Sequence, residues 1–360
     1  MKKFLCTSMA LFLLTGCFPI EEETQNEQPS EEVDTNVVSE SLLEKLNVPW
    51  SITKIDSIFY MSERNGKIVE FDSDRNEQTP QAIQLTKEVH VEGEGGLLGL
   101  TLTPNFENTK QAFAYHTYLE DNVIKNRVII IELEKDRWIE KSVLLDNIPG
   151  ARFHNGGRIK IGPDQKLYIT TGDSLNPDLA QDTNSLAGKV LRMELDGSIP
   201  IDNPIAGSYV YSYGHRNPQG LTWDEAGRLY STEHGQSAHD EINRIEPGKN
   251  YGWPVIEGDE QKEGMETPLY HTGEETWAPS GIAYRAGQLY IATLSGAAVK
   301  VFDLESGEIQ NVLEDTGRMR DVLIAQNDLF TISNNRDGRG NPSEKDDQLY
   351  RVNLTTQRGK

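Results

Sequence analysis

A histidine and an aspartate near the middle of the chain have the spacing of a proton-transfer pair. His154 lies in the glycine-rich turn HNGG, and the apolar run KLYIT then leads to a second turn that contains Asp173. A base on a loop and a carboxylate at the end of the following strand can form an oriented pair for general base catalysis. The alternative is a surface histidine beside an unrelated turn aspartate.

A second polar turn places an arginine next to an asparagine. In the sequence HRNPQG, Arg216 and Asn217 lie on a turn that Pro218 and Gly220 constrain. A guanidinium keeps its charge and offers a fork of donors, which suits an oxyanion or a polarised carbonyl. The alternative is a turn arginine that pairs with a surface carboxylate.

Strand-like segments that could position these turns recur along the chain. Six of them pair an aliphatic residue with an aromatic one, and an alternating segment follows each; the six are IFYMS, AFAYH, LYITT, LYSTE, LYIAT and LFTIS. Alternation with period two predicts strands with one buried face, and a spacing of roughly 40 to 60 residues is typical of propeller blades. We therefore predict that residues 41–360 form an all-β fold, a six-bladed β-propeller with four-stranded antiparallel blades. Two stacked β-domains are the alternative.

The first 16 residues have the pattern of a lipoprotein signal peptide. Lys2 and Lys3 precede an apolar run too short to span a bilayer, and the residues LTG lead to Cys17. This segment resembles a bacterial lipobox, which implies cleavage before Cys17 and lipid attachment to that cysteine. The expected product is a bacterial lipoprotein, outside the cytoplasm and anchored to a membrane. An ordinary secretory signal with a chance cysteine is the alternative.

Residues 17–40 have the composition of a flexible tether, because they are acidic, polar and nearly free of aromatic residues. The whole chain has a formal net charge of -22, from 57 acidic and 35 basic side chains. This charge argues against nucleic acid or an anionic lipid surface as a partner of the globular part. The expected contact with the membrane is the lipid anchor alone. Cys6 and Cys17 are the two cysteines, so the mature domain would contain no disulfide.

Four motifs in a fixed order resemble one protein family. They are GEGGLLG, RFHNGGRIKIGPDQKLYITTGD, YGHRNPQG, and EHG followed by DEIN and GKNYGWP. Together they resemble the soluble glucose/sorbosone dehydrogenases, or aldose sugar dehydrogenases, which use pyrroloquinoline quinone (PQQ). The resemblance covers about residues 45–355 and implies a six-bladed propeller, the fold that the strand repeat predicts. It also implies an enzyme that oxidises a sugar or alcohol and passes electrons to an external acceptor.

The resemblance implies a role for each catalytic candidate. His154 matches the base that takes the proton of the substrate hydroxyl, and Asp173 matches the carboxylate that orients this base. Arg216 and Asn217 match groups that contact the quinone, with Arg216 beside the carbon that accepts hydride. The sequence therefore predicts hydride transfer to PQQ, with Arg216 and calcium stabilising the negative charge that develops.

The resemblance also implies a cradle for the cofactor. Arg318 and Arg320 resemble paired arginines that hold the quinone carboxylates; two cations two residues apart on an extended segment point the same way, which suits an anionic ligand. A solvated charged strand is the alternative. Two further cradle positions depart from the family pattern. Ser295 stands near the place where some relatives have lysine, and Glu94 adds a negative charge where certain relatives have glutamine.

Two calcium sites are implied in the same way. Gly235 and Gln236 match residues whose carbonyls bind the calcium that contacts the cofactor. Gln236 replaces the usual proline, a change that a site made of carbonyl oxygens can tolerate. Glu241, Tyr251 and Asp259 resemble a second, structural site, with ordinary acidic surface residues as the alternative.

Two other functions stay open on the same fold. One is a calcium-dependent hydrolase such as a lactonase, which would need carboxylates and amides that converge on the channel. The other is a surface binding propeller without a cofactor, because a fold alone does not decide function.

Overall fold

The computed structural model describes Met1 and residues 39–357, and these residues form β-strands almost throughout. The helices in this part of the chain are short: α1 (Phe106–Thr109), α2 (Asp178–Gln181) and a 3-10 turn at Leu354–Gln357. None of these helices is long and apolar enough to cross a membrane, a finding that concerns the described residues alone. The all-β class that the sequence predicts is confirmed.

The first nine strands include one large sheet. The strands are β1 (Ser39–Leu43), β2 (Pro49–Ile55), β3 (Ile58–Glu63), β4 (Lys67–Asp72), β5 (Glu77–Gln84), β6 (Leu97–Leu102), β7 (Gln111–Glu120), β8 (Val123–Glu134) and β9 (Arg137–Pro149). Strands β2–β5 and β6–β9 are two antiparallel runs of four within a single eight-stranded sheet. Parallel pairing of residues 82–84 with residues 137–139 joins the two runs.

The other strands form four-stranded antiparallel sheets. Three of these sheets are β10 (Ile159–Ile161), β11 (Leu167–Thr171), β12 (Lys189–Met193) and β13 (Val210–Tyr213); β14 (Pro218–Trp223), β15 (Leu229–Glu233), β16 (Glu241–Ile245) and β17 (Tyr270–His271); and β18 (Pro279–Arg285), β19 (Gln288–Thr293), β20 (Ala298–Asp303) and β21 (Ile309–Leu313). The last sheet contains β22 (Met319–Ala325), β23 (Asp328–Ser333) and β24 (Leu349–Asn353). Strand β1 pairs with β24 and completes it, so the two ends of the folded region share one sheet.

Every strand predicted from the repeat is present. The six segments with an aliphatic–aromatic pair form β3, β7, β11, β15, β19 and β23, and the segments after them form β4, β8, β12, β16, β20 and β24. These are the second and third strands of each run of four. The prediction of four-stranded antiparallel blades is met only in part for β2–β9, because the beginning of β9 pairs with the outer edge of β5 and joins two runs of four into one sheet. The Trp138 indole N–H strengthens this junction by donating to Gln81 Oε1 at 2.7 Å.

The first strands of the runs contact one another in sequence order. Strand β2 contacts β6, which contacts β10, and the contacts continue through β14, β18 and β22 back to β2. Six strands therefore form a closed ring, an arrangement consistent with a β-propeller. Glycine permits the close approach at one of these junctions, because a Cβ on Gly99 would clash with the carbonyl oxygen of Gly157.

This topology explains why the candidate residues gather at one end. In an antiparallel run of four, the start of the first strand, the turn between the second and third strands, and the exit from the fourth all lie at the same end. His154 and Arg216 precede first strands, whereas Asp173, Gly235 and Ser295 follow second strands. Residues from five different strand connections therefore face the same end of the ring.

Candidate active site

His154 and Asp173 form the hydrogen-bonded pair that the sequence predicts. His154 Nδ1 lies 2.8 Å from Asp173 Oδ1. Asp173 also accepts the indole N–H of Trp253 at 2.8 Å and the backbone N–H of Leu175 at 2.9 Å. An ionised carboxylate can only accept hydrogen bonds, so this contact favours the tautomer with the proton on Nδ1. The pair is arranged so that Nε2 can act as a base.

The glycine-rich sequence around His154 is what brings it to Asp173. His154 has a φ of 60°, in the left-handed region, and its carbonyl oxygen accepts the backbone N–H of Ser174 at 3.3 Å. A Cβ on Gly172 would clash with that same carbonyl oxygen, so the two loops can meet because residue 172 is glycine. In the described part of the chain, His154 Nε2 has no hydrogen-bond partner.

His154 and Asp173 border a cavity of about 380 Å³. Its other lining residues are Leu175, Pro177, Arg216, Gln236, Trp253, Pro254, Glu257 and Glu260. The wall thus combines a base, a guanidinium, three carboxylates and an apolar surface around Trp253. Polar groups that converge on a partly apolar cavity are typical of a small-molecule site.

Arg216 approaches this cavity from the loop between β13 and β14. Its guanidinium lies 5.3 Å from the centre of the Trp253 ring, and Nη1 donates to the His234 carbonyl at 3.3 Å. Nε is buried and lacks a partner within residues 39–357. Burial lowers the pKa of Arg216, although the carboxylates of Asp173 and Glu233 act against this change. A buried unpaired N–H is costly, so this side chain is suited to receive an anionic or carbonyl ligand.

Glu94 connects the loop that contains His154 to Arg339, a cation that the sequence did not indicate. Its Oε2 accepts the backbone N–H of His154 at 3.2 Å and lies 3.5 Å from Asn217 Nδ2, while Oε1 lies 3.0 Å from Nη1 of Arg339. Burial acts to raise the pKa of Glu94, but the charges of His234 and Arg339 outweigh it and hold the pKa at about 2. The extra negative charge expected from the sequence is therefore balanced by a partly exposed cation of the same chain, Arg339.

Arg318 and Arg320 lie at the start of β22 and have different partners. Arg318 binds Asp337 Oδ2 through Nε at 3.1 Å and Nη2 at 2.8 Å. Arg320 donates to Gln219 Oε1 at 2.8 Å and to Asn334 Oδ1 at 3.0 Å, and its buried Nε has no partner among the residues described. Burial lowers the pKa of Arg320 to about 9. Both arginines are buried, so the alternative of a solvated charged strand is wrong.

Ser295 lies at the expected end of its sheet but takes no part in this cluster. It is exposed in the turn between β19 and β20, and its backbone N–H donates to the Trp277 carbonyl at 2.9 Å. Within the described chain no hydrogen bond joins it to another candidate. A lysine is not present at this turn, and the cationic character of the site comes from Arg216, Arg320 and Arg339 instead.

Gly235 and Gln236 begin the turn between β15 and β16, beside Arg216. The Gly235 N–H donates to Asp240 Oδ1 at 3.0 Å, and the Gln236 N–H donates to Glu257 Oε1 at 2.9 Å. The Gln236 carbonyl lies 3.5 Å from Nη2 of Arg216, so it faces the cavity. The turn therefore presents carbonyl oxygen where the sequence predicts a calcium ligand.

Glu241 and Tyr251 line a second, small cavity of about 10 Å³ next to this turn, together with Glu233 and Glu257. Burial and the two neighbouring carboxylates raise the pKa of Glu241 to about 8. Among the residues that the structure describes, no three His, Cys, Asp or Glu side chains form a recognisable metal cluster. A cation here would depend on main-chain carbonyls as well, which calcium accepts.

Asp259 lies outside this small cavity. Its side chain is 95% exposed and pairs with His271 Nε2 at 3.0 Å. The prediction that Asp259 joins Glu241 in a calcium site is therefore not met, because an exposed loop directs the carboxylate towards a surface histidine.

Sequence reasoning missed three residues of the site besides Arg339. Trp253 holds Asp173 and packs against Arg216, although it was visible only as part of the motif GKNYGWP. His234 is half-buried, its Nε2 atom is buried and unpaired in the described part of the chain, and desolvation lowers its pKa to about 4. Arg64 donates from Nε to the Gly95 carbonyl at 3.1 Å, close to the Glu94 loop. No local pattern distinguishes His234 or Arg64 from ordinary turn residues.

Comparison with known proteins identifies the family. The model of the glucose/sorbosone dehydrogenase family matches residues 46–350. The chain therefore belongs to this family, and the recognition based on the four motifs is confirmed.

Two relatives are similar over most of the chain. Quinoprotein glucose dehydrogenase B of Acinetobacter calcoaceticus is 33% identical over 299 residues, which cover 72% of this chain and 61% of that protein. The chain thus spans less than two thirds of the length of this relative. Aldose sugar dehydrogenase YliI of Escherichia coli (strain K12) is 28% identical over 323 residues, which cover 79% of this chain and 86% of that protein.

A solved structure supports the same relationship. The PQQ-bound form of aldose sugar dehydrogenase from Streptomyces coelicolor superimposes with a TM-score of 0.82 at 34% identity. The match covers 88% of this chain and 98% of that one.

Proposed function

We propose that this protein is a PQQ-dependent sugar dehydrogenase built on a six-bladed β-propeller, in which the eight-stranded sheet counts as two blades. Membership of the glucose/sorbosone dehydrogenase family and similarity to a PQQ-bound structure support this proposal. The observation that carries it is the His154–Asp173 pair, which borders the same cavity as the unpaired guanidinium N–H of Arg216.

The unpaired donors of two arginines fit an anionic quinone. Arg216, which lines the cavity, and Arg320 each have a buried Nε–H without a partner among the described residues. His234 Nε2 is also buried and unpaired in this part of the chain. Guanidinium groups suit carboxylates and carbonyl oxygens. Arg216, Arg318 and Arg320 would hold the cofactor, with Asn217 beside them. PQQ, when bound, supplies the two-electron acceptor for hydrogen that leaves the substrate carbon as hydride.

The residues of this chain would then perform the proton chemistry. His154 takes the hydroxyl proton on Nε2, and Asp173 holds the opposite N–H and stabilises the imidazolium that forms. Arg216 stabilises negative charge as it develops at the acceptor. Trp253, Leu175 and the neighbouring prolines provide an apolar wall for a sugar ring. The electron acceptor that reoxidises the cofactor is a second, external partner.

We extend the proposal to the two calcium sites near the turn that follows β15. The carbonyls of Gly235 and Gln236 would bind the calcium beside the cofactor, and the carboxylate of Glu241 would bind the second calcium; all are hard oxygen ligands of the kind calcium prefers. The raised pKa of Glu241 means that this group holds a proton near neutral pH, which a cation would displace. Calcium should therefore bind more tightly as the pH rises through about 8, and Glu241→Gln should remove most of that pH dependence.

The anchor is a separate part of the proposal. Cys17, the signal segment and most of the tether lie outside the described residues, and we propose lipid attachment at Cys17. Growth with a labelled fatty acid should label the wild-type protein in the membrane fraction. Cys17→Ser should lose the label and leave the membrane. A labelled Cys17→Ser protein would contradict the assignment.

The activity is tested on the full chain, loaded with PQQ and calcium. We expect dye reduction with one or more aldoses, and loss of this activity in His154→Ala with PQQ binding retained in an absorbance titration. His271→Ala is a matched control, because it removes the half-buried histidine of a His–Asp pair that does not line the cavity. Failure of the wild-type protein to bind PQQ at micromolar concentration would overturn the proposal.

A further inference from the structure

A second histidine–carboxylate pair lies directly behind the Arg216 loop. His215 Nδ1 is 2.9 Å from Glu233 Oε2, and its Nε2 is 2.8 Å from Ser212 Oγ. The three residues are buried, with exposures of 0% for Ser212, 0% for His215 and 3% for Glu233. Serine, histidine and glutamate in this order have the connectivity of a hydrolase triad. The serine is sealed from solvent, however, so a substrate cannot reach it.

The other oxygen of Glu233 binds the backbone that carries the cofactor residues. Oε1 accepts the N–H of Arg216 in a short contact and the N–H of Asn217 at 3.2 Å. Two consecutive N–H groups that point at one carboxylate oxygen set the orientation of two peptide units. The directions in which the side chains of Arg216 and Asn217 leave the backbone depend on that orientation.

The same backbone segment is bonded to the loops that carry the base. The Arg216 carbonyl accepts the N–H of Asp173 at 2.8 Å, and Asn217 Oδ1 accepts the N–H of Gly156 at 3.1 Å. The His215 ring stacks on Tyr251 with 4.8 Å between centroids and 19° between planes. A shift of residues 215–217 would therefore move Asp173 and the His154 turn together with Arg216.

A buried carboxylate at this position has an electrostatic cost. Glu233 borders the small cavity that also contains the carboxylates of Glu241 and Glu257, and an isolated buried charge is expensive unless it is hydrogen-bonded. An apolar side chain would fill the space without that cost, but it would release both backbone N–H groups. The presence of a buried carboxylate at residue 233 is explained if its role is to orient the backbone of residues 216 and 217.

We propose that Glu233, held in place by His215 and Ser212, is a positioning residue that sets the placement of Arg216 relative to the His154–Asp173 pair. The effect on catalysis rests on the proposed function, because it can be seen only if the protein is a dehydrogenase. The effect of Glu233 on the backbone of Arg216 and Asp173 does not depend on the reaction and can be measured without cofactor.

The test compares Glu233→Gln with Glu233→Ala in the full chain. Glutamine can still accept both N–H groups with its oxygen, and its amide can donate to His215 Nδ1, so it should keep kcat and PQQ affinity within about 3-fold. Alanine releases the backbone. We expect a fall in kcat of about 100-fold, because displacement of a catalytic group by about 1 Å has this effect, with a fall of about 10-fold in PQQ affinity and little change in the sugar KM.

Asp224→Ala is the matched structural control. Asp224 is buried in the turn at the opposite end of β14 and β15, where it accepts the backbone N–H groups of Ala226 at 2.9 Å and Arg228 at 2.8 Å. This variant should lose stability in urea and keep its PQQ affinity and kcat. If Glu233→Ala behaves like Asp224→Ala, or if Glu233→Gln is as impaired as Glu233→Ala, the proposal is overturned.

Hydrogen exchange separates this inference from the proposed function. Without cofactor, the amides of residues 216, 217 and 173 should exchange at least about 10-fold faster in Glu233→Ala than in wild type, because their local opening becomes easier. In Asp224→Ala and Glu233→Gln they should not. Wild-type protein that binds no PQQ defeats the dehydrogenase assignment, yet the exchange result still decides the positioning role. If Glu233→Ala does not fold, Ser212→Ala replaces it and should show the same pattern more weakly; unchanged exchange would contradict the inference.

Discussion

Two histidine–carboxylate pairs are bonded to the backbone of the same residue, Arg216, and their histidine–carboxylate distances are nearly equal. His154 is 2.8 Å from Asp173, and His215 is 2.9 Å from Glu233. In both pairs the contact uses Nδ1, so in both the second ring nitrogen decides what the histidine can do. The pairs differ in what surrounds that nitrogen.

The first pair opens on the cavity, and the second is closed on all sides. The His154 side chain is 15% exposed and its Nε2 has no partner within residues 39–357. His215 is fully buried and its Nε2 meets Ser212 Oγ. The comparison teaches that a paired imidazole is a candidate base when its second nitrogen faces free space, and a structural connector when a protein group occupies that place.

The largest expected effect comes from removing the open histidine. His154→Ala should lower kcat for sugar oxidation by about 10³-fold, because it removes the general base. Its urea midpoint should stay close to that of wild type, since the side chain borders a cavity. Steady-state dye reduction and a urea titration check both parts. A His154→Ala enzyme with nearly full kcat would remove the basis of the comparison.

Asp173→Asn tests how far the activity of His154 as a base depends on the carboxylate of Asp173. An amide that presents N–H to Nδ1 favours the wrong tautomer, so kcat should fall by about 10²-fold or more, in line with the same change in other histidine–aspartate pairs. PQQ affinity should change much less. Equal losses in kcat and in PQQ affinity would instead mean that Asp173 mainly maintains the cavity, as Glu233 does for the neighbouring backbone.

Removing His215, the histidine of the enclosed pair, should lower stability more than kcat, the reverse of what we expect for His154. His215→Ala leaves the buried Glu233 Oε2 without a donor, which should lower the free energy of unfolding by about 2 to 3 kcal/mol. The fall in kcat should be about 10-fold at most, because Glu233 Oε1 still holds Arg216 and Asn217. Urea unfolding and dye reduction measure the two quantities. A large loss of kcat at unchanged stability would place His215 in the chemistry instead.

The smallest expected effect concerns Glu94, the carboxylate that binds the backbone N–H of His154. Its pKa of about 2 in the folded protein lies below the ordinary value of 4.5. A carboxyl group whose pKa is lower in the folded than in the unfolded protein stabilises the fold at pH values above its unfolded pKa. For Glu94 this stabilisation is lost as the pH falls from about 4.5 to about 2. Glu94→Gln should therefore remove about 2 kcal/mol of pH-dependent stability across that window, after allowance for the exposed Arg339 partner.

Urea midpoints of wild type and Glu94→Gln between pH 5 and 3 check the expectation for Glu94. Arg339→Gln should reduce the same pH dependence in part, because one of several stabilising contacts is lost. Parallel curves for wild type and Glu94→Gln across this range would show that the carboxylate is not tied to the fold in the way that its contacts indicate.

The strands and site residues that could be predicted are those marked by a pattern among neighbouring residues. The second and third strands of each run were all predicted from their alternating sequence. The expectation of one buried face is wrong, however: β11, β12 and β15 are buried at every residue, because both of their faces pack against neighbouring sheets. The first and fourth strands were not predicted, since the first lines the ring with mixed polarity and a fourth strand such as β17 is two residues long. The His154–Asp173 pair was visible because a short strand separates its two turns. Arg339 was not, because it meets Glu94 across 245 residues of sequence.

The amino-acid sequence by itself determined the strand repeat, the glycine turns and the family, because alternation, turn residues and motif order are properties of neighbouring residues. The tertiary structure decided how the charges are paired. Only closure of the ring brought Arg339 to Glu94, buried Glu233 under the Arg216 backbone, and left one imidazole facing a cavity and the other enclosed. Burial and partner identity depend on distances between remote segments, and they set what each titratable side chain can do.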